Sequence, residues 1–546
     1  MRTELIHYED LGRSMYAVYP DGERICCYEY TLITILRDSD SHDDILALLA
    51  DESVCKLLNS QKIILLFPTP VHKNWNASLD SNLPDDLSDI PAMIHKFNYQ
   101  PAMDDVGIYH IMHNARYLIG TGTGASMVHA IASCNPVNVA GIFTMGGSIS
   151  EKAAAACVNS PVPAILQNTD EITKEFFCRL NQTDSGCDGY FYNQTNDAQF
   201  VYLSDETATE HTITGKTLRF VWEQLCAKVC RWNSCQYGDV GPRTVRDKYK
   251  FNIHEEDTLL GDNEGLAHTW FEYIPDSVKA GSQNKVPLIL FNHGGADTPG
   301  NICNTLKLHE VAEKEGFIVV YPWCSAKWGW NLDLEEDKYD DIAYLKALIN
   351  YMKEKYPIDE TRVYIGGFSN GSAMAQIFAM TNPGLIAAVL ANNTGFIKNR
   401  NTKPFAIAGR EKLLYDYRMP IWYIYGTRDK EYPVVRGCGQ QVQYDFWKAY
   451  NNITWKLTPY INEPGAVDVG VAGDLVEEYT PNPRYPSRKY TTHRFFSNDE
   501  EPVNYYNYTL ADGKGHDCNP EDAWLGWNYI SNFRRLPDGR SVQIKK

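Results

Sequence analysis

A serine flanked by glycines stands at the centre of the segment 367–371 (GFSNG), and this G-x-S-x-G pattern is typical of a nucleophile in acyl transfer. The apolar run before it predicts a strand and the run after it predicts a helix, so the serine would sit on a sharp turn. The helix N-terminus would then direct free N–H groups and its dipole at the reacting oxygen. The pattern therefore predicts that Ser369 is a nucleophile.

A second feature is the run His293-Gly294-Gly295, which follows directly on the apolar segment PLILFN. In acyl-transfer enzymes such a turn offers backbone N–H groups to a developing oxyanion, together with the N–H of the residue after the nucleophile. We therefore predict an oxyanion hole formed near Gly295 and Asn370. An ordinary glycine-rich turn before a helix is the alternative interpretation.

A serine needs a base that takes its proton and a carboxylate that orients this base. Two histidines follow Ser369 in the chain, His493 and His516. His516 lies in a polar loop ahead of the last predicted helix, from which an imidazole can reach the serine. His493 lies in a strand-like run, where a structural role is expected. The sequence therefore predicts His516 as the base.

The carboxylate is predicted from its place after a strand. Asp429 follows the apolar segment IWYIYG, and the carboxyl ends of strands in doubly wound sheets meet at one edge. Glu431 and Asp445 are the alternatives. We therefore expect Asp429 to orient His516.

Aromatic residues are concentrated in the segment 321–330 (YPWCSAKWGW), which contains Trp323, Trp328 and Trp330. Together with His293, these side chains are predicted to line a substrate pocket at the carboxyl edge of the sheet. Core packing and anchoring of the loop are the alternative.

The elements that must position these residues alternate short β-branched runs with helical patterns, which indicates parallel α/β layering. In the second half, strands are predicted at 287–292, 317–321, 362–366, 386–391 and 421–425, and helices at 305–315, 340–356, 372–380, 440–450 and 523–533. The first half repeats this alternation, with strands at 62–67, 117–119, 137–143, 163–167 and 199–203 and helices at 44–58, 125–132 and 216–230. The segment 232–248 is polar and lacks periodicity, so we place a domain boundary there and predict domains 1–235 and 236–546.

The segment 340–374 (DDIAYLKALINYMKEKYPIDETRVYIGGFSNGSAM) closely resembles the polyhydroxybutyrate depolymerase family of esterases, which includes feruloyl and acetyl-xylan esterases. The resemblance covers about 285–535 and includes, in order, the His-Gly-Gly turn, the G-x-S-x-G turn, G-T-x-D-x-x-x-P at 426–433 and G-x-G-H at 513–516. It implies an α/β-hydrolase fold with a mostly parallel sheet, a Ser369–Asp429–His516 triad, oxyanion donors near Gly295 and Asn370, and neither cofactor nor metal.

The resemblance also implies hydrolysis of short polyesters or of feruloyl or acetyl esters. Segments 394–419 and 464–487 depart from the family pattern where loops that cover the substrate would lie. A serine peptidase of the same fold and a non-catalytic binding module are the alternative functions.

The first half is predicted to be a degenerate α/β-hydrolase-like domain. The segment 117–127 (YLIGTGTGASM) aligns without gaps with 364–374 (YIGGFSNGSAM), and Gly122 falls where Ser369 stands. A glycine supplies no attacking oxygen, so this domain is expected to be non-catalytic. Further along the chain, Asp170 and His211 fall in segments similar to those of Asp429 and His516. An anion-binding glycine loop and the convergence of two α/β layers are the alternatives.

Charge and composition limit the partners. The 546 residues contain 51 Lys plus Arg against 69 Asp plus Glu, a net charge of −18 that opposes binding to nucleic acid or anionic membranes. No apolar run approaches the roughly 18 residues that a membrane-spanning helix needs. The first residues, MRTELIHYEDLG, have no apolar signal core, so we expect a cytoplasmic protein, or a secreted one if a signal was removed. An ester substrate is the expected partner, and a homo-oligomer stays open.

The fourteen cysteines contain no C-x-x-C pair and are expected to be reduced, buried thiols. Cys438 and Cys518 flank the predicted acid and base loops, and a disulfide between them is the alternative for that pair.

Overall fold

The computed structural model describes residues 1–22, 26–38, 42–72, 74–99, 110–204, 212–245, 248–258, 267–278, 284–332, 339–394, 417–434, 441–459 and 470–544. The chain divides into two compact units, Met1–Arg246 and Asp247–Lys546. This division lies inside the predicted linker 232–248, but after the predicted boundary at 235. The reason is a hairpin of two strands, Val229–Trp232 and Asp239–Pro242, which belongs to the first unit.

The first unit contains a ten-stranded sheet, the closing hairpin and flanking helices. Its strands are β1 (Arg2–Tyr8), β2 (Arg13–Tyr19), β3 (Tyr30–Leu36), β4 (Ile63–Pro68), β5 (Ile111–Thr121), β6 (Gly141–Met145), β7 (Ala164–Gln167), β8 (Ser185–Cys187), β9 (Tyr190–Tyr192), β10 (Phe200–Leu203), β11 (Val229–Trp232) and β12 (Asp239–Pro242). Its helices are α1 (His42–Leu49), α2 (Glu52–Gln61), α3 (Asp86–Tyr99), α4 (Thr123–Cys134), α5 (Glu151–Ala155), α6 (Glu171–Leu180) and α7 (Gly215–Val221), which continues as a π-helical turn over Trp222–Cys226.

The second unit is built in the same way. Its strands are β13 (Phe251–Asp257), β14 (His268–Tyr273), β15 (Val286–Asn292), β16 (Ile318–Pro322), β17 (Ile358–Phe368), β18 (Ala388–Asn392), β19 (Ile421–Gly426), β20 (Lys456–Leu457), β21 (Val471–Ala472), β22 (Leu475–Tyr479), β23 (Tyr490–Phe495), β24 (Tyr506–Ala511), β25 (Phe533–Arg535) and β26 (Ser541–Gln543). Its helices are α8 (Pro299–Leu306), α9 (Leu308–Glu315), α10 (Asp341–Lys355), α11 (Asn370–Thr381), α12 (Gln441–Tyr450) and α13 (Pro520–Ile530).

The two large sheets have the same strand order. The order is β1-β2-β4-β3-β5-β6-β7-β10-β9-β8 in the first unit and β13-β14-β16-β15-β17-β18-β19-β24-β23-β22 in the second. In both, the central strands pair in parallel and the outer strands are antiparallel. The predicted α/β fold with a mostly parallel sheet is therefore confirmed for both halves.

The central strands are buried along almost their whole length, as in Leu288–Phe291 of β15. Strands of a parallel sheet are covered by helices on both faces, so their sequences read as continuous apolar runs rather than as alternating patterns. This explains why the central strands could be located from the sequence.

A buried arginine closes each unit in a similar way. The Arg231 Nε donates to the Val139 carbonyl over 2.6 Å, and the Arg535 Nε donates to the Ile386 carbonyl over 2.9 Å. Burial lowers the pKa of both guanidinium groups to about 10. Each cation is held mainly by backbone carbonyls, which satisfy its donors inside the protein.

Three predicted helices differ from the observed elements. The predicted helix 305–315 is interrupted at Lys307, whose φ of 55° ends α8 before α9 begins. The predicted helix 44–58 is divided into α1 and α2, because Asp51 caps a new helix through the N–H of Ser53. The predicted helix 216–230 ends earlier, and Cys230 lies in strand β11.

Among the described helices, none combines the length and the apolar character that a membrane crossing requires.

Candidate active site

Ser369 lies on the turn between β17 and α11, as the G-x-S-x-G pattern predicts. Its φ of 52° and ψ of −119° fall in a region that residues with a Cβ rarely adopt. Its N–H donates to the Asn392 carbonyl over 3.0 Å, which holds the turn against the neighbouring strand. Strain of this kind persists only where the surrounding structure imposes it, and it is concentrated at functional sites.

The glycines on either side of the serine permit this close packing. A Cβ at Gly371 would lie 2.1 Å from the carbonyl oxygen of His293, and one at Gly367 would lie 2.3 Å from the backbone of Gly371. Side chains at these two positions would therefore push the strand, the helix and the His-Gly-Gly turn apart.

The predicted oxyanion donors lie next to each other. A Cβ at Gly294 would be 3.5 Å from the Cβ of Ser369, and one at Gly295 would be 3.7 Å from the Cβ of Asn370. Within the described part of the chain, the N–H groups of Gly295 and Asn370 have no hydrogen-bond acceptor. The Asn370 N–H is also the first of helix α11, where the helix dipole favours negative charge.

His516 and Asp429 are brought together although they lie far apart in the chain. The Nδ1 of His516 lies 2.7 Å from the Oδ2 of Asp429. The other carboxylate oxygen accepts the N–H groups of Glu431 and Tyr432, and Oδ2 also accepts the Nδ2 of Asn393 over 2.7 Å. The carboxylate is thus surrounded by donors, and its orientation is fixed.

These contacts determine the charge of Asp429. Burial raises the pKa of this carboxyl. The hydrogen bond and charge of His516, together with the bonds from Asn393 and Tyr432, lower this pKa by more than burial raises it. The net result is a pKa below the usual range, so Asp429 is ionised near neutral pH.

The imidazole of His516 lies beside the serine. Its ring packs against Phe368, with ring centres 4.7 Å apart, and against Tyr432, with ring centres 5.2 Å apart. Phe368 immediately precedes Ser369 in the chain. The structure therefore brings the three residues predicted as a triad into one cluster.

The four residues predicted to line a substrate pocket occupy different environments. His293 is fully buried, Trp323 and Trp330 are buried, and Trp328 is 41% exposed. The Nε2 of His293 accepts the N–H of Cys324, and its carbonyl accepts the Trp330 indole N–H over 2.9 Å. His293 therefore anchors the tryptophan loop, and Trp328 is the member of this set that faces solvent.

Two residues of the site were not identified from the sequence. Asn393 follows strand β18 with a φ of 40° and binds the acid, while Tyr432 contacts the acid and the base. The sequence does contain a weak signal for them, because Asn393 lies two positions after the predicted strand 386–391 and Tyr432 lies three positions after Asp429.

Two further carboxyl groups lie close in sequence to the site. Burial raises the pKa of Asp297 to about 6, against the hydrogen bonds from Asn301 and Thr298 that lower it. Burial likewise raises the pKa of Asp517 to about 6, with a smaller contribution from the charge of Asp297. Both groups therefore titrate close to the pH range in which a histidine base works.

The remaining predicted residues lie partly inside and partly outside the described part of the chain. His493 lies in β23, where its Nδ1 accepts the N–H of Gly473 over 3.3 Å. Cys518 is a buried free thiol, and Cys438 lies outside the described residues, as does His211. Among the residues that the structure describes, no group of three or more His, Cys, Asp or Glu side chains could hold a metal ion.

Comparison with known proteins finds a family model and several relatives that match part of this chain. Residues 270–402 match the family model described as Esterase PHB depolymerase. Feruloyl esterase B of Neurospora crassa is 31% identical over 123 residues, which cover 22% of this chain and 41% of that protein. The bifunctional acetylxylan esterase/xylanase XynS20E of Neocallimastix patriciarum is 29% identical over 170 residues, which cover 30% of this chain and 22% of that protein. The chain thus spans less than half the length of these relatives.

Among solved structures, the acetyl xylan esterase from Aspergillus awamori matches with 16% identity and a TM-score of 0.37, covering 52% of this chain and 99% of that one. The family match, which includes the Ser369 turn and the His-Gly-Gly turn, confirms that the second half of this chain resembles the polyhydroxybutyrate depolymerase and feruloyl esterase group.

Proposed function

We propose that the second unit is a serine hydrolase of carboxylic esters. The observation that supports this most directly is the cluster of Ser369, His516 and Asp429, with the acid bonded to the Nδ1 of the histidine over 2.7 Å. The strained backbone at Ser369 and the N–H groups of Gly295 and Asn370, which lack an acceptor among the described residues, supply the other parts that acyl transfer requires.

In the proposed reaction, the Oγ of Ser369 attacks the ester carbonyl carbon while the Nε2 of His516 takes the hydroxyl proton. The N–H groups of Gly295 and Asn370 hold the oxyanion of the tetrahedral intermediate. His516 then gives its proton to the departing alkoxide, which leaves as an alcohol. Asp429 stabilises the imidazolium that exists between these two steps.

The second half of the cycle repeats these roles with water. His516 takes a proton from water, and the resulting hydroxide attacks the acyl-enzyme carbonyl. The ester bond to Ser369 breaks, the proton returns to its Oγ, and the acid is released. A buried anionic carboxylate favours the Nδ1–H tautomer of His516, which leaves Nε2 free to act as the base.

Replacing the nucleophile tests this proposal. Ser369→Ala is expected to reduce the hydrolysis of p-nitrophenyl acetate and butyrate by several orders of magnitude, roughly 10⁴-fold or more, while the melting temperature is kept. Ser531→Ala, at the end of α13, is the matched control and is expected to retain full activity. Full activity in Ser369→Ala would refute the proposal, and a screen of aminoacyl amides against esters would separate a peptidase from an esterase.

The substrate class is proposed from the resemblance. The relatives that match are named as feruloyl and acetylxylan esterases, and the family model as a PHB depolymerase esterase. We therefore propose feruloyl, acetyl or short hydroxyalkanoate esters as substrates. Comparing kcat/KM for methyl ferulate, an acetylated xylo-oligosaccharide and a hydroxybutyrate dimer would rank them.

We further propose that the first unit, Met1–Arg246, is a degenerate copy of the second and does not catalyse ester hydrolysis. The shared strand order and the two buried arginines support a common architecture. Gly122 has a φ of 57° and a ψ of −127°, close to the values of Ser369, so the turn is retained without its nucleophile.

The place of the oxyanion hole supports the same proposal. Leu36 pairs with Gly120 in the first sheet as Asn292 pairs with Gly367 in the second. Asp38 lies two positions after Leu36, and Gly294 lies two positions after Asn292, so Asp38 stands in the position of Gly294. Its carboxylate accepts the N–H of Thr123 over 2.9 Å, the counterpart of the Asn370 N–H. An oxyanion would meet a carboxylate at this position instead of a free donor.

A serine-reactive probe tests this second proposal in the full chain. With the nucleophile removed by Ser369→Ala, a fluorophosphonate is expected to form no adduct on residues 1–246. A stoichiometric adduct on Thr121, Thr123 or Ser126 would contradict a degenerate unit.

A further inference from the structure

A buried ion pair joins the loop that carries the base, residues 512–516, to helix α13. Lys514 occupies the unspecified position of the G-x-G-H run, two residues before His516, and its side chain is fully buried. Its Nζ is bonded to the Oδ2 of Asp522, which is also fully buried and lies in the first turn of α13. Taking two charges out of water costs about as much as their attraction returns, so stability alone does not account for such a pair.

Asp522 is the centre of a wider set of hydrogen bonds. Its Oδ2 also accepts the Nδ2 of Asn392 over 3.1 Å and the N–H of Asn519 over 3.0 Å. Its Oδ1 accepts the hydroxyl of Tyr490 over 3.0 Å. Donors from the base loop, from β18, from β23 and from the residue before α13 therefore hold this carboxylate in place.

One of these donors belongs to the residue that holds the nucleophile turn. The backbone carbonyl of Asn392 accepts the N–H of Ser369 over 3.0 Å, while its side chain donates to Asp522. A single residue at the end of β18 thus connects the serine to the buried carboxylate. Since the same carboxylate binds Lys514, a continuous path of hydrogen bonds leads from the nucleophile turn to the base loop.

The base loop is in turn held to the loop that carries the acid. The carbonyl of Lys514 accepts the N–H of Arg428 over 2.9 Å, and the carbonyl of Gly513 accepts the Nη1 of Arg428 over 3.0 Å. A Cβ at Gly426 would lie 2.2 Å from the carbonyl oxygen of Lys514, so the two loops are in close contact. The acid and base loops are therefore fixed to each other, and the ion pair holds them against the serine turn.

We propose that Lys514 is a positioning residue whose buried ammonium keeps the base within reach of the nucleophile. Its bond to Asp522 sets the distance between the Nε2 of His516 and the Oγ of Ser369. Lys514 stands between two glycines, which leave the backbone free to adopt other conformations, so its side chain supplies the anchor. Proton transfer needs hydrogen-bond reach, and a misplacement of about 1 Å can cost roughly 100-fold in rate. This inference rests on the proposed esterase function.

Removing both charges separates positioning from stability. In Lys514→Met/Asp522→Asn no charge is left buried, and the new amide can donate to the Oδ1 of Asn392, which is buried and has no hydrogen-bond partner among the described residues. The melting temperature is expected to stay within about 5 °C of the original. In contrast, kcat/KM for p-nitrophenyl butyrate is expected to fall about 10- to 100-fold, with KM changed less than about threefold.

Arg488→Met/Glu521→Gln is the matched control. Its ion pair is also buried, with the Nη1 of Arg488 2.8 Å from the Oε2 of Glu521, and Glu521 is the neighbour of Asp522 on α13. This variant loses a buried pair on the same helix but keeps the path from Ser369 to the base loop. Its kcat/KM is expected to stay within about twofold of the original protein.

The leaving group supplies a readout that a purely structural role would not change. A displaced His516 protonates a departing methoxide poorly, whereas p-nitrophenolate leaves without a proton. The loss of kcat/KM in Lys514→Met/Asp522→Asn is therefore expected to be at least about threefold greater for methyl butyrate than for p-nitrophenyl butyrate. A smaller fraction of folded protein would lower both rates by the same factor.

Asn392→Ala interrupts the same path at its other end and leaves the ion pair in place. Its kcat/KM is expected to fall about 3- to 10-fold, and it decides the question if the double variant at 514 and 522 does not unfold cooperatively. Rates within about twofold of the original in both variants, equal losses for the two butyrate esters, or an equal loss in the control would each overturn the inference. Ser369→Ala is measured in parallel, because retained activity there would instead refute the esterase function.

Discussion

Replacing Asp429 by asparagine would separate the electrostatic role of this carboxylate from its structural role. In the structure, both oxygens of Asp429 accept hydrogen bonds: Oδ1 from the N–H groups of Glu431 and Tyr432, and Oδ2 from His516 and Asn393. An asparagine can match the two backbone donors only by turning its oxygen toward them. Its NH₂ group then faces His516 and Asn393.

Both of these neighbours can accept the new donor. The Oδ1 of Asn393 is buried and has no hydrogen-bond partner among the described residues, so a flip of this amide would present an acceptor. His516 can accept only if its proton moves from Nδ1 to Nε2. The variant is therefore expected to fold with a loss of no more than about 1.5 kcal/mol, but with His516 held in the tautomer that cannot take the serine proton.

The expected loss of activity is large. Where the acid of a Ser-His-Asp triad is replaced by asparagine, kcat falls about 10⁴-fold, which corresponds to about 5 kcal/mol of transition-state stabilisation. The assay is kcat/KM for p-nitrophenyl acetate at pH 7, with the melting temperature measured on the same samples. A small loss of stability combined with a large loss of rate is the signature of the wrong tautomer.

Asp445→Asn is the matched control, because Asp445 is the alternative acid and lies exposed on α12. This variant is expected to keep its activity. If Asp429→Asn retained more than about a tenth of the original rate, the tautomer reasoning would be wrong. If Asp445→Asn were the inactive variant, the acid would have been misidentified.

Gly371→Ala is expected to destabilise the protein by more than about 3 kcal/mol, because the new Cβ would lie 2.1 Å from a backbone carbonyl oxygen. Gly384→Ala is the control, because a Cβ there would have nothing within 4 Å. Equal urea midpoints for the two alanine variants would contradict this prediction. Since burial raises the pKa of Asp517 to about 6, the folded state holds this proton more tightly than the unfolded chain, and stability falls as the pH rises from about 4 to about 6, by up to ~3 kcal/mol. Asp517→Asn should thus be more stable than the original protein at pH 7 and equal to it at pH 4, and identical differences at both pH values in urea unfolding would argue against it. Arg535→Ala is expected to lower the free energy of unfolding by about 3–5 kcal/mol, because buried backbone carbonyls lose their hydrogen-bond donor. Arg540 is exposed, so Arg540→Ala should change this free energy by less than about 0.5 kcal/mol. Thermal unfolding of both variants measures the difference.

The parts of the site that the sequence determined are those whose geometry is local. The turn at Ser369 and the run that contains Gly295 follow directly from a strand that precedes them and a helix that follows, so a few neighbouring residues fix their conformation. The pairing of His516 with Asp429 crosses 87 positions of the chain, yet it was predictable because parallel strands bring their carboxyl ends to one edge.

Other features depended on side-chain packing between distant segments, which no spacing rule encodes. Nothing local indicates that the amide of Asn393 binds the acid, or that the ring of Tyr432 packs against the imidazole of His516. In the same way, His293 was predicted beside the substrate, but its burial and its bonds to the tryptophan loop arise only when that loop folds over it.

The first unit shows the same division. The sequence alone aligned Gly122 with Ser369, because a strand, a tight turn and a helix leave a pattern of glycines and apolar residues that survives without the nucleophile. That the carboxylate of Asp38 accepts the N–H of Thr123 was decided by the tertiary structure, because the two residues lie 85 positions apart and meet only when β3 and β5 pair. Backbone patterns persist in sequence, whereas the contacts between side chains at the ends of neighbouring strands exist only in the assembled sheet.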